Sequence, residues 1–240
     1  MEGKTLIIIP TYNEIENIES IVHAVFNIVP AFHVLVVDDN SPDGTANVVS
    51  ELKKKYSDQL FLEIRSKKTG LGDAYVHGFR WALERQYSYV FEMDADFSHN
   101  PKELIPMQAQ LLQQADVVVG SRYSNGVNVV NWPLSRVLLS YFASVYVRWI
   151  THLPVKDATA GFVGYTRNVL TSMDIDSIRF GGYAFQIELK YKAWIKGFTI
   201  VEHPIIFVNR QLGKSKMSGN IIWEALFGVL YLRWNKRKFK

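Results

Sequence analysis

The sequence predicts an α/β protein built on a mostly parallel sheet with helices on both faces. Short, continuous apolar runs of strand length recur through the first 120 residues. Each run is followed by a segment whose apolar residues repeat at helical spacing. Fully apolar strands that alternate with amphipathic helices are typical of βαβ units, in which helices cover both faces of the sheet.

Five predicted strands alternate with four predicted helices before residue 122. The predicted strands cover residues 4–10, 33–39, 60–65, 89–94 and 115–121. The predicted helices cover residues 14–29, 45–56, 72–86 and 101–114. In the first helix, Ile18, Ile21 and Val25 recur at the spacing that places them on one face. Ligands of such sheets bind beyond the carboxyl ends of the strands, so we expect a site at that edge.

The pattern changes after residue 122 and predicts a C-terminal helical elaboration. The sequence predicts a loop at 124–133, a long aromatic helix at 135–153, a strand at 200–208 and a polar loop at 209–220. No repeat, low-complexity tract or linker divides the sequence. We therefore interpret residues 1–240 as one domain.

The composition indicates a globular protein and excludes thiol chemistry. Of the 240 residues, 48% are hydrophobic and 21% are charged, which is the balance of a folded domain. The sequence has no cysteine, so a disulfide framework, a thiolate metal site and a cysteine nucleophile are all excluded. The segment MEGKTLIIIPTYNE is too short and too soon acidic for a secretory signal.

The C-terminal segment combines an apolar stretch with a basic cluster. Residues 221–234, IIWEALFGVLYLRW, are too few to span a bilayer, which needs about 20 apolar residues. Five of the last eight residues, RWNKRKFK, are Lys or Arg. These features fit a helix at a membrane surface, and they fit equally a core-packing helix with a solvated end.

Two aspartates follow the fourth predicted strand in the stretch EMDADFSHNP. The start of the next helix is already supplied by Asn100 as N-cap, by proline at the next position and by Glu103 as capping-box acid. Asp94 and Asp96 are therefore not needed for this cap and can converge on a divalent cation, and hard oxygen ligands favour Mg²⁺ or Mn²⁺. Glu92 has no partner that the sequence reveals.

Other polar residues follow the remaining strands. Asp39 ends the second strand, where an acid can bind ribose hydroxyls or a base edge. The glycine fingerprint of dinucleotide sites is missing after the first strand, where PTYNE stands, so a dinucleotide cofactor is not favoured. Basic residues able to clamp a diphosphate occupy the same predicted edge: Arg122, Arg136, Arg210, Lys214 and Lys216.

The motifs PTYNE, DDNSPDGT, GLGDAY, MDADFSH, GSRY, DATAGF and NRQLGKSK together resemble family 2 glycosyltransferases of the GT-A fold. The SPDGT and DADxSH forms, and the spacing of Arg210 and Lys216, narrow the resemblance to the dolichol- or polyprenol-phosphate mannose synthases. It extends from about Leu6 to Ser218. Ala160 stands where the family pattern has serine.

The resemblance implies roles for particular residues. A GDP-mannose donor would be bound by Pro10, Tyr12, Glu14, Val37, Asp39, Asp94, Ala95, Asp96, Arg210 and Lys216. A Mg²⁺ or Mn²⁺ ion would be held by Asp94, Asp96 and Ser98, and the acceptor phosphate by Arg122 and Arg136. Catalysis would depend on Asp96, Arg122 and Arg136. Residues 1–122 would form the nucleotide-sugar half, 123–220 the acceptor half and 221–240 a membrane-facing helix.

The resemblance also implies the reaction and its location. Mannose would pass with inversion to a polyprenyl (dolichyl) phosphate, and the enzyme would lie peripherally on the cytoplasmic face of a membrane. A separate membrane-anchoring subunit is compatible with the sequence, and no nucleic-acid partner is expected. Three alternatives stay open: a UDP-glucose donor with the same lipid, a soluble enzyme with a non-lipid acceptor, and a non-catalytic nucleotide-sugar-binding subunit.

Overall fold

The computed structural model describes residues 3–210 and 219–239. Its strands are β1 (Thr5–Thr11), β2 (His33–Asp38), β3 (Leu60–Ile64), β4 (Tyr89–Glu92), β5 (Val117–Ser121), β6 (Val129–Val130), β7 (Val163–Thr166), β8 (Ile200–Pro204) and β9 (Phe207–Val208). Its α-helices are α1 (Ile18–Ile28), α2 (Thr45–Lys55), α3 (Leu71–Glu84), α4 (Leu104–Gln113), α5 (Leu134–Thr151), α6 (Arg167–Ser172), α7 (Tyr183–Ile195) and α8 (Gly219–Trp234).

The main sheet has seven strands in the order β3-β2-β1-β4-β7-β5-β8. β1 lies near the centre and pairs in parallel with β2 and with β4; Ile7, for example, is opposite Val34 on one side and Phe91 on the other. Only β7 runs antiparallel to its neighbours, β4 and β5. The predicted mostly parallel sheet is therefore confirmed.

Helices cover both faces of this sheet. Neighbouring residues of a strand point to opposite faces, so each strand contributes side chains to two separate cores. Leu6 and Ile8 of β1 belong to a core that includes residues of α3 and α7. Ile7 and Ile9 belong to a second core, with residues of α1, α2 and α4. α3 approaches β1 closely at Gly78, where a Cβ atom would lie 2.8 Å from the Ile8 side chain.

Most element boundaries differ from the predictions by one or two residues, and the differences are larger at α1, at the strand predicted over 200–208 and in the loop predicted over 124–133. α1 begins at Ile18, four residues later than the pattern indicates, because residues 14–17 form a turn. The predicted strand over 200–208 is divided into β8 and β9. β9 pairs in parallel with β6, a short strand inside the predicted loop 124–133.

The C-terminal helix α8 packs against α7 and α5. One turn of 3-10 helix, Lys236–Phe239, follows it. Within residues 3–210 and 219–239, the structure contains no helix that is both long enough and apolar enough to cross a bilayer.

Candidate active site at the carboxyl edge of the sheet

Asp94 and Asp96 lie in the turn that follows β4. The Asp96 side chain is only 5% exposed, whereas the Asp94 side chain is 36% exposed. The backbone N–H of Ser98 donates to Oδ1 of Asp96 at 3.0 Å, and Nη2 of Arg210 lies 2.9 Å from its Oδ2. Both oxygens of Asp96 therefore have fixed partners, and the structure brings Arg210, a predicted diphosphate ligand, next to the acidic turn.

His99 is hydrogen-bonded to the backbone of this turn. Its Nδ1 accepts a hydrogen bond from the backbone N–H of Asp94 at 3.1 Å, so its ring proton is on Nε2. The ring stacks on Phe162 with 4.9 Å between centres, and burial lowers the pKa of His99 to about 4. The sequence leaves two interpretations of His99 open, a polar loop histidine and a residue that supports the two aspartates. The structure shows a neutral, buried ring that orients the backbone of Asp94.

The start of the following helix is capped partly as predicted. Oδ1 of Asn100 accepts from the backbone N–H of Lys102 at 3.1 Å, which confirms the N-cap. The carboxylate of Glu103, which the sequence assigns to the same cap, instead pairs with Nε2 of His203 at 2.8 Å. The cap is made by Asn100 and not by Asp94 or Asp96. The interpretation of the two aspartates as metal ligands depends on this point.

Tyr12 and Asp39, both predicted to contact the nucleoside, lie next to each other at the ends of β1 and β2. The backbone N–H of Asp39 donates to the carbonyl of Thr11 at 3.0 Å. The Asp39 carboxylate pairs with Nη1 of Arg65 at 2.9 Å. Burial raises the pKa of Asp39, and the neighbouring Arg65 opposes this shift.

Two cations at this corner were missed by the sequence analysis. Arg65 pairs with Asp39, and Nζ of Lys68 lies 4.1 Å from the centre of the Tyr12 ring. Both residues belong to the stretch RSKKTG, which leads directly into the GLGDAY motif. This position in the sequence could have identified them as candidate site residues. Together they add positive charge beside the predicted nucleoside site.

The other predicted donor residues lie at the ends of β1, β2 and β4. Pro10 is opposite Val37 in the parallel register, and the Val37 side chain is fully buried. The Glu14 carboxylate is buried and accepts from Nδ2 of Asn17 at 3.0 Å. Ala95 is buried between the two aspartates.

Arg122, at the end of β5, is held by a residue that the sequence analysis did not assign. Its Nε and Nη2 donate to the two carboxylate oxygens of Asp157 at 2.7 and 2.6 Å, and Nη2 also donates to Oγ1 of Thr159 at 2.9 Å. Asp157 and Thr159 belong to the DATAGF motif, which was the available signal. The motif therefore fixes the orientation of Arg122.

Arg136, in the first turn of α5, converges with Arg122 on the same aromatic ring. Its Cζ lies 4.0 Å from the centre of the Trp132 ring, and the Cζ of Arg122 lies 5.4 Å from it. Nη1 of Arg136 donates to Oδ1 of Asn209 at 3.0 Å. The structure thus brings together the two arginines that were predicted to bind one phosphate.

Both arginines border a cavity of about 320 Å³ between α5, α7 and α8. Most of its lining is apolar. The remaining lining residues are Trp132, Leu139, Ser140, Phe142, Ala143, Tyr146, Val147, Thr159, Ile187, Ala225, Leu226 and Val229. The cavity therefore offers one cationic border and an otherwise hydrophobic interior.

The acidic turn fits a divalent cation that takes further ligands from its substrate. Asp94 and Asp96 offer hard carboxylate oxygens, which suit Mg²⁺ or Mn²⁺. Among the residues that the structure describes, no cluster of three or more His, Cys, Asp or Glu side chains could hold a metal ion. A cation on this turn would therefore depend on diphosphate oxygens and water. Lys214 and Lys216 lie outside the described residues.

A mostly parallel sheet flanked by helices, with acids and arginines beyond its carboxyl ends, defines the GT-A class of glycosyltransferase folds. A crystal structure of glucosyl-3-phosphoglycerate synthase from Mycobacterium tuberculosis, with Mn²⁺, UDP and phosphoglyceric acid, shares this fold. It has a TM-score of 0.69 and 17% sequence identity, covering 97% of this chain and 78% of that chain. A structure of the same enzyme with Mg²⁺ and UDP has a TM-score of 0.66 at 16% identity, covering 98% and 79%.

The protein belongs to glycosyl transferase family 2, whose profile matches residues 6–173. A polyprenol monophosphomannose synthase of Mycolicibacterium smegmatis is 47% identical over 226 residues, which are 94% of this chain and 85% of the relative. An undecaprenyl-phosphate mannosyltransferase of Micrococcus luteus is 44% identical over 231 residues, 96% of this chain and 93% of the relative. The predicted fold and family are confirmed.

Proposed function

We propose that this protein transfers mannose from GDP-mannose to a polyprenyl (dolichyl) phosphate, with inversion, to give a β-linked polyprenyl-phosphate mannose. The names of the two relatives, both polyprenyl-phosphate mannosyltransferases, support this proposal. The structural observation that carries it is the cavity on which Arg122 and Arg136 converge. A cationic border suits a phosphate, and an apolar interior of about 320 Å³ suits the adjoining isoprene units.

The acceptor needs little activation. A phosphate monoester has a second pKa of about 6, so its oxygen is already anionic near neutral pH. This oxygen attacks the anomeric carbon of the sugar from the face opposite the diphosphate. The new carbon–oxygen bond forms as the bond to the diphosphate breaks, and GDP leaves with the electron pair. No general base is required, and the protein has to place the two phosphates correctly.

On the donor side, each predicted residue has a task. Tyr12 and Asp39 contact the guanosine, together with Pro10, Glu14 and Val37, and Arg210 and Lys216 contact the diphosphate. Asp94 and Asp96, with Ser98 as a further ligand, would hold Mg²⁺ or Mn²⁺, which neutralises negative charge on the leaving diphosphate. The crystal structures of glucosyl-3-phosphoglycerate synthase, which has the same fold, contain Mn²⁺ or Mg²⁺ together with UDP, and this supports the use of a divalent cation.

A lipid acceptor places the enzyme at a membrane surface, and we propose that it binds the cytoplasmic face peripherally. Large apolar side chains are exposed on α5 and α8. They are Leu134, Leu138, Leu139, Phe142, Trp149, Trp223, Phe227 and Trp234. Basic residues follow at the end of α8, where anionic lipid would attract them. A separate anchoring subunit on this surface is the alternative to direct lipid contact.

The test is to incubate the purified protein with Mg²⁺ or Mn²⁺, polyprenyl phosphate and either labelled GDP-mannose or labelled UDP-glucose. We expect label in the organic phase from GDP-mannose only. Label from UDP-glucose alone would establish the glucosyltransferase alternative. Transfer to a water-soluble acceptor, with none to lipid and no binding to vesicles, would establish a soluble enzyme. Donor binding with no turnover on any acceptor would establish a binding subunit.

A further inference from the structure

Glu92, which the sequence leaves without a partner, is the first member of a buried polar chain. Its side chain is fully buried at the end of β4, two residues before Asp94. Nε2 of Gln186, on α7, donates to Oε2 of Glu92 at 2.6 Å. Burial raises the pKa of Glu92 to about 8, and the Gln186 hydrogen bond opposes that shift.

Lys190 extends this chain to the other half of the site. It lies one helical turn after Gln186, and its Nζ donates to Oε1 of Gln186 at 3.2 Å and to the carbonyl of Ala160 at 2.7 Å. Ala160 belongs to the loop in which Asp157 holds Arg122. A continuous path of side-chain hydrogen bonds therefore runs from the strand that presents Asp94 to the loop that orients Arg122.

This chain is costly to bury, so stability does not explain it. Lys190 is fully buried, and desolvation lowers its pKa to about 8. Burying ionisable and polar groups costs free energy even when they are hydrogen-bonded to one another. The three polar side chains are nevertheless buried, and Gln186 and Lys190 lie next to the core residues Phe185, Ile187 and Leu189 in the sequence of α7. Their common property is their position between the two halves of the candidate active site.

We propose that Gln186 and Lys190 are positioning residues that hold the acidic turn after β4 in register with the loop 157–160. The inference rests on the proposed transfer between two phosphates, one on each half. The separation of these halves sets the distance between the attacking oxygen and the anomeric carbon. A displacement of about 1 Å far from the reacting atoms can cost about 100-fold in rate.

The test compares Lys190→Met with Lys192→Met on the same helix. Lys192 is also buried and ion-paired, with Glu188 at 2.7 Å, but it donates to Ser177 and lies outside this chain of hydrogen bonds. We expect Lys190→Met to lower kcat about 10- to 100-fold, while the Kd of each substrate alone changes less than about threefold. Lys192→Met should keep kcat within about twofold at a similar loss of thermal stability.

If Lys190→Met folds poorly, the double variant Glu92→Gln with Lys190→Met replaces it in the comparison. It removes the Glu92 carboxyl and the Lys190 ammonium together and leaves no ionisable group of this hydrogen-bonded chain in the core, so thermal stability should recover while kcat stays low. A kcat near the wild-type value in both variants, or an equal loss in Lys192→Met, would overturn the inference. If the wild type uses a UDP-sugar, the donor assignment fails and the same comparison is made with that donor. If the wild type transfers no sugar, both proposals fall.

Discussion

The guanidinium of Arg122 donates two hydrogen bonds to the carboxylate of Asp157, from Nε to Oδ2 at 2.7 Å and from Nη2 to Oδ1 at 2.6 Å. Its Oδ2 also accepts from the backbone N–H of Arg122 at 2.9 Å. The Asp157 side chain is fully buried and that of Arg122 is 9% exposed. A two-point contact of this kind fixes the plane of a guanidinium as well as its position, so Arg122 faces the cavity in one orientation.

Replacing Asp157 by Ala should therefore destabilise the fold. The change leaves the Arg122 guanidinium buried without its counter-charge, and breaking such a pair costs about 3–5 kcal/mol. Denaturant unfolding measures the loss. Asp176→Ala is the matched control, because Asp176 also pairs with an arginine, Arg80, but on the surface, where the cost should stay below about 1 kcal/mol. Equal losses in the two variants would contradict the structural role of Asp157.

Arg136→Ala should raise the KM for polyprenyl phosphate about 10- to 100-fold and leave the KM for GDP-mannose nearly unchanged, because in the proposed reaction Arg136 donates a charged hydrogen bond to the acceptor phosphate only. Steady-state kinetics with each substrate varied in turn give both values. Arg85→Ala is the control, since Arg85 also lies 4.0 Å from a tryptophan ring, that of Trp81, at the C-terminal end of α3. A rise in the donor KM alone would move Arg136 to the donor site.

Ala143→Phe should obstruct the cavity between α5, α7 and α8. The phenyl ring would occupy the volume proposed for the isoprene units, so the lipid could enter only by displacing it. We expect transfer to long-chain polyprenyl phosphate to fall at least about tenfold, whereas GDP-mannose binding measured by calorimetry stays intact. Ala46→Phe, on α2, controls for the added ring. Unchanged lipid transfer in Ala143→Phe would place the lipid elsewhere.

Asp96→Asn should reduce turnover by about 100- to 1,000-fold or more, because the neutral amide keeps the shape of the carboxylate but not its charge. The same change should weaken Mn²⁺ binding in the presence of GDP, measured by electron paramagnetic resonance. Asp58→Asn, at an exposed turn, is the control. Near-normal turnover and metal affinity in Asp96→Asn would refute its proposed role as a metal ligand.

Sequence reasoning succeeded where the determining contacts are local. The Asn100 cap depends on a residue two positions away, and the alternation of strands and helices depends on spacing within each segment. The partner of Glu92 lies 94 positions away, and that of Arg122 lies 35 positions away, so neither pairing is visible in a local pattern. The antiparallel insertion of β7 is likewise a matter of strand order, which apolar periodicity does not encode.

The position of β7 also has a consequence for synthesis of the chain. β7 is translated after β4 and β5 but lies between them in the sheet. Until Val163–Thr166 has left the ribosome, both earlier strands present apolar edges with free N–H and C=O groups. A nascent or truncated chain that ends before Val163 is therefore expected to aggregate, and co-translational chaperones would have to shield those edges until β7 arrives.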